Sequence, residues 1–440
     1  MSNQTTRRDV LKGATVASAA MLTPSLLPKS SFAEDKNDRF VLAGIGMGGM
    51  GSGDCRGHCG YGDFAMFADV DMGHAERANA KIAGGKAKVT QNYKEVLDNK
   101  DIEVVSIATP DHWHVMICLE ALAAGKHVFC QKPLTLTLEE NLMIRDACKK
   151  YDKQTFFIGT QQRSDRGKFM RAVNMVQKGL LGKMKKVTCS IGGGSTGGPF
   201  KKEAPPANLD WKFWLGPAPT VEYIKQRCHG NFRWWYEYSG GKFTDWGAHH
   251  IDIAMWAMNL QNLEDGPTVI NGKDAKHPVP FEKGYPTKDD CYNTANDYDV
   301  ISQLPNGVEL HVTSRGQNGV TFEGEKGTIF VSRGTIKGKP IEENWDKDKY
   351  TEEDTTRLYK GKKVAGHKTN FFQCIREGGL PVSDAFSHIT AMSICHLSAI
   401  AARLGRELKW DAKNQKFIGD DEAQSFFART PTKGYEYPKV

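Results

Sequence analysis

After its first thirty residues the chain has no run near the ~18 apolar residues that a membrane span needs, and no long basic block interleaved with aromatics as a nucleic-acid groove requires. Membrane and nucleic-acid partners are therefore not expected. Its ten cysteines are scattered from Cys55 and Cys59 to Cys395, without the spacing of a disulfide framework. Cys55 and Cys59 lie four apart, yet no second close Cys or His pair completes a zinc set, so they read as helix packing. No internal repeat is evident. What remains is ordinary globular composition: 440 residues, 39% hydrophobic, 25% charged and 45 glycines. That length suggests two or three domains and excludes one small domain.

The net charge of +7 is mild, and part of it is concentrated at the start. Arg7, Arg8 and Lys12 precede an apolar, small-residue run from Gly13 to Leu27 and then Ser31-Phe32-Ala33. Charged, apolar and small-residue regions in that order describe an export signal. TTRRDVLK resembles the twin-arginine signal, with Val10 where Phe is commoner, and Pro24 and Pro28 argue against a spanning helix. Residues 1–33 carry a net +3, leaving +4 on the rest. The expected location is the bacterial periplasm, reached through the twin-arginine machinery. Such substrates fold in the reducing cytoplasm, which agrees with mostly free, buried thiols.

From residue 34 to about 160 short apolar runs alternate with helical patterns: FVLAGI, DFAMFADVD, IEVVSIATP, HVFCQKP and TFFIGTQ. An amphipathic segment from His114 to Ala124 and a helix from Glu139 to Lys150, opened by the box Thr137-Leu138-Glu139-Glu140, lie between them. This spacing predicts a parallel sheet with crossover helices, a doubly wound nucleotide-binding domain. After the first strand, GxGxxG fits two registers, Gly44/Gly46/Gly49 or Gly46/Gly48/Gly51. Glycines let the backbone approach a pyrophosphate, and the helix that follows offers it unpaired N–H groups. At the end of the next strand Asp69, or Asp71, would bind the adenosine ribose hydroxyls and repel a 2′-phosphate, favouring NAD over NADP.

Residues 161–440 have a different texture. Glycine- and proline-rich stretches precede β-prone runs such as VELHVTS and GTIFVS, and a long helix spans His388 to Leu404. The Lys-, Pro- and Gly-rich region between Pro267 and Asp290 reads as a surface loop. The predicted class is α/β followed by α+β, the second domain being an antiparallel sheet with helices.

GIGMGGMG, ATPDHWH, CQKPLT, LDWKFWLGPAP and GGKFTDWGAHHIDIAMW stand in an order that resembles the Gfo/Idh/MocA oxidoreductases, over nearly the whole chain after the signal. The resemblance implies a Rossmann domain followed by an open, mostly antiparallel sheet domain, an NAD cofactor, a sugar or polyol substrate and a homodimer or homotetramer. Lys132 occupies the lysine of the family's EKP motif, and Asp245 and His249 its DxxxH pair. Thr109, Pro110, His112 and His114 fall in the cofactor-edge motif with Lys132.

Alcohol oxidation needs a base for the hydroxyl proton. His249 has the side chain whose ordinary pKa lies nearest neutrality. Asp245, four residues earlier, is expected to orient the imidazole, and Lys132 to stabilise developing alkoxide charge. His250 competes with His249 for the site. Arg163, Arg233 and Trp234 are expected to reach the substrate with His250, because forked donors and flat rings suit sugars. Trp211, Trp214, Trp234, Trp235, Trp246 and Trp256 are six of the nine tryptophans, and core packing explains many of them equally well. Asp252 and Trp256 more readily finish the core. His112, His114, His249, His250 and Asp252 are not expected to hold a metal.

The family glutamate before the lysine is Gln131 here. A neutral amide beside Lys132 is expected to preserve packing and hydrogen bonding, with Gln131→Glu keeping activity within an order of magnitude. Free NAD is scarce outside the cytoplasm, so an exported enzyme of this kind is expected to hold its nucleotide tightly and recycle it in place. Transient oxidation followed by elimination, an NAD-dependent glycosidase, is the alternative, and a non-catalytic sugar-binding protein a third reading.

Overall fold

A computed structural model describes residues 39–343, 350–363 and 366–439. The export signal assigned to residues 1–33, with Arg7 and Arg8, lies outside the described residues. Six strands, β1 (Phe40–Ile45), β2 (Gly62–Ala68), β3 (Lys88–Thr90), β4 (Val104–Ile107), β5 (His127–Cys130) and β6 (Phe156–Ile158), form one parallel sheet in the order β3-β2-β1-β4-β5-β6. Ile45, at the end of β1, is level with Ala68 on one side and Ile107 on the other. Strand order reverses between β1 and β4, so a crevice opens beyond their carboxyl ends.

The crossover helices follow local rules with two departures. Leu138–Lys150 is capped by Thr137, whose Oγ1 accepts from the Glu140 N–H at 3.2 Å. The Glu140 carboxylate turns to Leu136 N–H and the Tyr437 hydroxyl instead of closing the box. The helix expected from His114 begins at Asp111, and nearly all of its residues are buried, so it is a core helix rather than an amphipathic one.

The second sheet comprises β7 (Met184–Ser190), β8 (Val269–Lys276), β11 (Asp297–Gln303), β12 (Glu309–Thr313), β13 (Gly319–Gly324), β14 (Thr328–Val331), β15 (Ile336–Gly338), β16 (Glu407–Asp411) and β17 (Lys416–Phe417), with β9 (Phe281–Glu282) and β10 (Tyr285–Pro286) pairing apart. Its order is β15-β14-β13-β7-β12-β11-β8-β16-β17, antiparallel except where β7 meets β12. The region read as a surface loop from Pro267 thus contains β8, a strand inside this sheet. Its glycine misleads in sequence: a Cβ at Gly272 would stand 2.2 Å from the Ala401 backbone, so the residue marks where the sheet meets the helix Ala385–Leu404. That twenty-residue helix is apolar and long enough to cross a membrane, but 94% of its apolar window is buried within the fold. All ten cysteines are free thiols, and Cys55 is buried in helix packing.

Charged groups pin the junction between the two sheets. The Arg163 guanidinium forks onto Asp252, Nε to Oδ2 at 2.6 Å and Nη2 to Oδ1 at 2.8 Å, and its Nη1 donates to Val382 O at 2.9 Å. His388 Nδ1 lies 3.1 Å from Asp252 Oδ1. Arg163 and Asp252 are each 1% exposed, so removing either leaves a buried charge without its partner. Arg163→Ala is expected to cost about 3–5 kcal/mol of stability, measured by chemical denaturation.

Gln131 is buried and hydrogen-bonded, in line with its sequence reading. Its amide Nε2 donates to the buried Asp54 carboxylate at 2.5 Å, and its Oε1 accepts from Lys132 N–H at 3.3 Å. The carboxyl group lacking at position 131 therefore has a counterpart at position 54, where burial raises its pKa against the pull of Gln131 and Lys368. Gln131→Glu would press two carboxyl groups together, so a loss of stability is expected. Adding Asp54→Asn should return most of that loss, with a coupling of about 0.5–3 kcal/mol in a double-mutant cycle; additive losses would show that the two side chains are independent.

Candidate active site

A cleft of about 290 Å³ lies beyond β1, β2 and β4. Gly46, Gly48, Asp69, Thr109, Pro110 and Arg233 are in its wall, with Trp113, Phe213 and Trp214 supplying apolar surface. The glycines divide by environment. Gly46 has φ +81°, and a Cβ there would strike Thr109 N at 2.6 Å. At Gly51 a Cβ would stand 1.9 Å from Gly46 O, so turn and helix touch. Gly48 faces open space. A tight turn, an open approach and a close helix contact follow the register Gly46/Gly48/Gly51. The helix Gly49–His58 starts there with no side-chain cap, leaving its first N–H groups to an anion.

Asp69 Oδ2 accepts from Met47 N–H at 2.6 Å and Oδ1 from Asp71 N–H at 2.9 Å. The carboxylate thus anchors the glycine turn from the cleft wall. Thr109 Oγ1 is buried without a hydrogen-bond partner among the described residues. An open glycine, an uncapped helix start, a carboxylate and an orphaned hydroxyl in one cleft fit a dinucleotide.

His112 and His114 are not in that wall. His112 Nε2 lies 2.9 Å from Trp214 O, and its ring packs on Trp214 and Tyr238. His114 spans two carbonyls, Pro133 O at 2.6 Å and Thr109 O at 2.9 Å. Burial pushes their pKa values down to about 3 and about 4. Both are neutral rings: His114 holds the Thr109 turn against Pro133 of the Lys132 loop, and His112 is tied to Trp214.

Lys132 follows β5 and donates from Nζ to Asp245 Oδ1 at 2.8 Å and Asp245 O at 2.9 Å. Arg233 Nε is 3.9 Å and Lys242 Nζ 3.7 Å from the same carboxylate. Burial pushes the Asp245 carboxyl up, but these three cations outweigh it and hold it below its usual value. Asp245 therefore orients Lys132; among the described residues no hydrogen bond or ion pair joins it to His249, because it ends the short helix Lys242–Asp245 while His249 belongs to the next, Gly247–Ala257. Arg233, at once in the cleft wall and beside Asp245, carries the cleft on to Lys132.

His249 is 4% exposed, and its Nδ1 is buried without a hydrogen-bond partner among the described residues. Burial, with the charges of Lys132 and Arg333, pushes its pKa well below the ordinary value. His250 turns elsewhere: its Nε2 is 3.0 Å from Asn318 Oδ1, and it is fully buried against Phe169 and Trp246. Like Arg163, which is consumed by Asp252, it has no path to a substrate. Most of the tryptophans are core as well: Trp235 is fully buried, and Trp211 stacks on Trp214 at 4.7 Å. Trp234 stays half-buried, with Lys242 Nζ 5.4 Å from its ring centre.

Three contributors went unseen in the sequence. Asp111 is buried at the head of its helix, accepts from Ser239 Oγ at 2.5 Å, and is pushed up by burial to about 7 against the pull of Ser239 and Lys132. Ser239 has no motif of its own. Arg333 stacks over Trp246 at 4.6 Å and acts on both His249 and Asp245. Asp111 alone of the three lies in a motif, the PDHWH string, where the histidines carry the plainer chemical signal.

Residues 39–160 match the domain described as "Oxidoreductase family, NAD-binding Rossmann fold", and residues 170–436 that described as "Oxidoreductase family, C-terminal alpha/beta domain". Inositol 2-dehydrogenase of Salmonella paratyphi B is 33% identical over 114 residues, 26% of this chain and 33% of that protein. The chain thus spans about a third of that relative's length. Alpha-N-acetylgalactosaminidase of Shewanella oneidensis is 29% identical over 203 residues, 40% of this chain and 44% of its own. A solved levoglucosan dehydrogenase, in complex with NADH and L-sorbose, shares the fold with a TM-score of 0.58 at 18% identity, covering 84% of this chain and 99% of that one. With both domain descriptions met in order over most of its length, the chain belongs to the Gfo/Idh/MocA oxidoreductase family.

Proposed function

We propose that the protein is an NAD(H)-dependent oxidoreductase that moves hydride between the cofactor and a hydroxyl or keto group of a sugar or polyol. The observation that carries this reading is the Lys132 amine, fixed by Asp245 beside Arg233 of the nucleotide-cleft wall, whose charge acts on a neutral His249 with an unsatisfied Nδ1. Inositol and levoglucosan dehydrogenases among the relatives support the substrate class. Gly46, Gly48, Gly51, Asp69 and Thr109 would hold the dinucleotide, and Asp69 disfavours a 2′-phosphate.

The nicotinamide, when bound, accepts or returns the hydride. The chain supplies the proton chemistry. His249 is unprotonated at neutral pH and takes the hydroxyl proton in oxidation, returning it in reduction. Lys132 donates a hydrogen bond to the same oxygen and stabilises its developing charge, while Asp245 keeps the amine in place. Lys132→Met is expected to lower kcat by about 10²–10³-fold and His249→Ala by about 10²–10⁴-fold, both with nucleotide still bound. Because the fold pushes the His249 pKa down, its base form persists below the ordinary ~6.5 of histidine. The acid limb of kcat/KM for oxidation should therefore lie below that value and be absent from His249→Ala; a limb at or above it would count against His249 as the base.

The N-terminal pattern supports export by the twin-arginine route to the periplasm, after folding around the nucleotide, and family precedent supports a homodimer or homotetramer. Tight retention of NAD with recycling in place follows from that route. Native mass spectrometry of purified protein should find nucleotide without any added, and nucleotide-free protein of millimolar NAD affinity would contradict it. The similarity to an alpha-N-acetylgalactosaminidase favours one second reading, glycoside cleavage by transient oxidation and elimination. Glycoside incubation separates the two, since cleavage frees the aglycone while simple oxidation leaves a keto-sugar.

A further inference from the structure

Asp71, His74 and His229 line the cleft on the β2 side, away from Lys132, and no step of the hydride chemistry uses them. One ligand atom from each lies within 4.8 Å of the others. Asp71 Oδ2 is 3.5 Å from His229 Nε2 and 3.9 Å from His74 Nε2. Ligands at ~2.0–2.1 Å on a tetrahedral zinc ion stand about 3.3 Å apart, so small side-chain shifts would bring the three together on one ion.

The surroundings are arranged as a metal site requires. Asp71 Oδ1 is already committed, accepting from Asn208 Nδ2 at 2.6 Å and from Gly73 N–H at 3.0 Å, which turns Oδ2 towards the histidines. His74 points its other nitrogen, Nδ1, at Asp69 Oδ2 3.3 Å away. A carboxylate behind a liganding imidazole fixes its tautomer and raises its basicity. His229 comes from the other half of the chain with φ +50°, a conformation that residues other than glycine seldom take, and its ring meets His74 edge-on at 4.9 Å. Its side chain is 47% exposed, so an ion can reach the three from solvent.

We propose that Asp71, His74 and His229 form a binding site for a divalent transition metal of the zinc type, with Asp69 supporting His74 from behind. Two imidazoles and one carboxylate suit a borderline ion rather than magnesium or calcium, and leave a fourth position for water or for a ligand in the cleft. The ion would tie the β2 end of the nucleotide domain to the segment bearing Phe232 and Arg233, joining opposite sides of the cleft.

Untagged full-length protein, stripped with chelator and titrated with Zn²⁺, should bind one ion per chain. His74→Ala and His229→Ala should each weaken that affinity by about a hundredfold, with circular dichroism and an unchanged cooperative thermal transition confirming that they fold. Co²⁺-loaded wild-type protein should show the visible absorption band of a tetrahedral site. Lack of stoichiometric zinc, lack of that band, or full affinity retained by either folded variant would overturn the site.

Discussion

The fork between Arg163 and Asp252 is the constraint on which the site depends. It fixes the rotation of the helix Gly247–Ala257 about its own axis, while His250 on Asn318 fixes it from the sheet side. His249, carried on the same helix, is thereby held where the charges of Lys132 and Arg333 act on it. A buried ion pair contributes little to net stability after desolvation, but its directional bonds allow one register only. Here it serves to place an imidazole rather than to add stability.

That logic explains which residues were legible in the sequence. The nucleotide domain is local: strands, crossover helices and the glycine turn lie within one stretch, and the hydrophobic period reads directly. The turn even separates its two registers once Gly46 and Gly51 are seen to be blocked and Gly48 open. Lys132, Asp245 and His249 were found by motif, but their pairing was not, because Asp245 and His249 look like helical neighbours and in fact end one helix and belong to the next.

Other residues share one physical circumstance. His112, His114, Arg163 and His250 carry functional side-chain chemistry, yet each spends its polar atoms on buried structure, on carbonyls, an aspartate or an amide. Sequence shows that a donor exists and not whether it is already used. β8 failed in the opposite sense: its lysines, asparagine and glycine look like a loop, while Gly272 is needed for backbone contact with Ala401. The trio Asp71, His74 and His229 was invisible because its third member lies in the other half of the chain.

The charge balance gives these placements their chemical direction. Lys132, Arg233 and Lys242 surround Asp245, the carboxylate that remains readily ionised, and Arg333 acts on it too; Asp111, raised to about 7 by its burial, is partly neutral at physiological pH. An excess of cations in a largely buried site lowers the cost of negative charge on a substrate oxygen and raises the cost of a second positive charge on His249. One field thus keeps His249 unprotonated and would make an alkoxide easier to form. In the proposed reaction both effects would point the same way, towards removal of a proton from a hydroxyl group, and in reverse they would make His249 a strong acid for returning it.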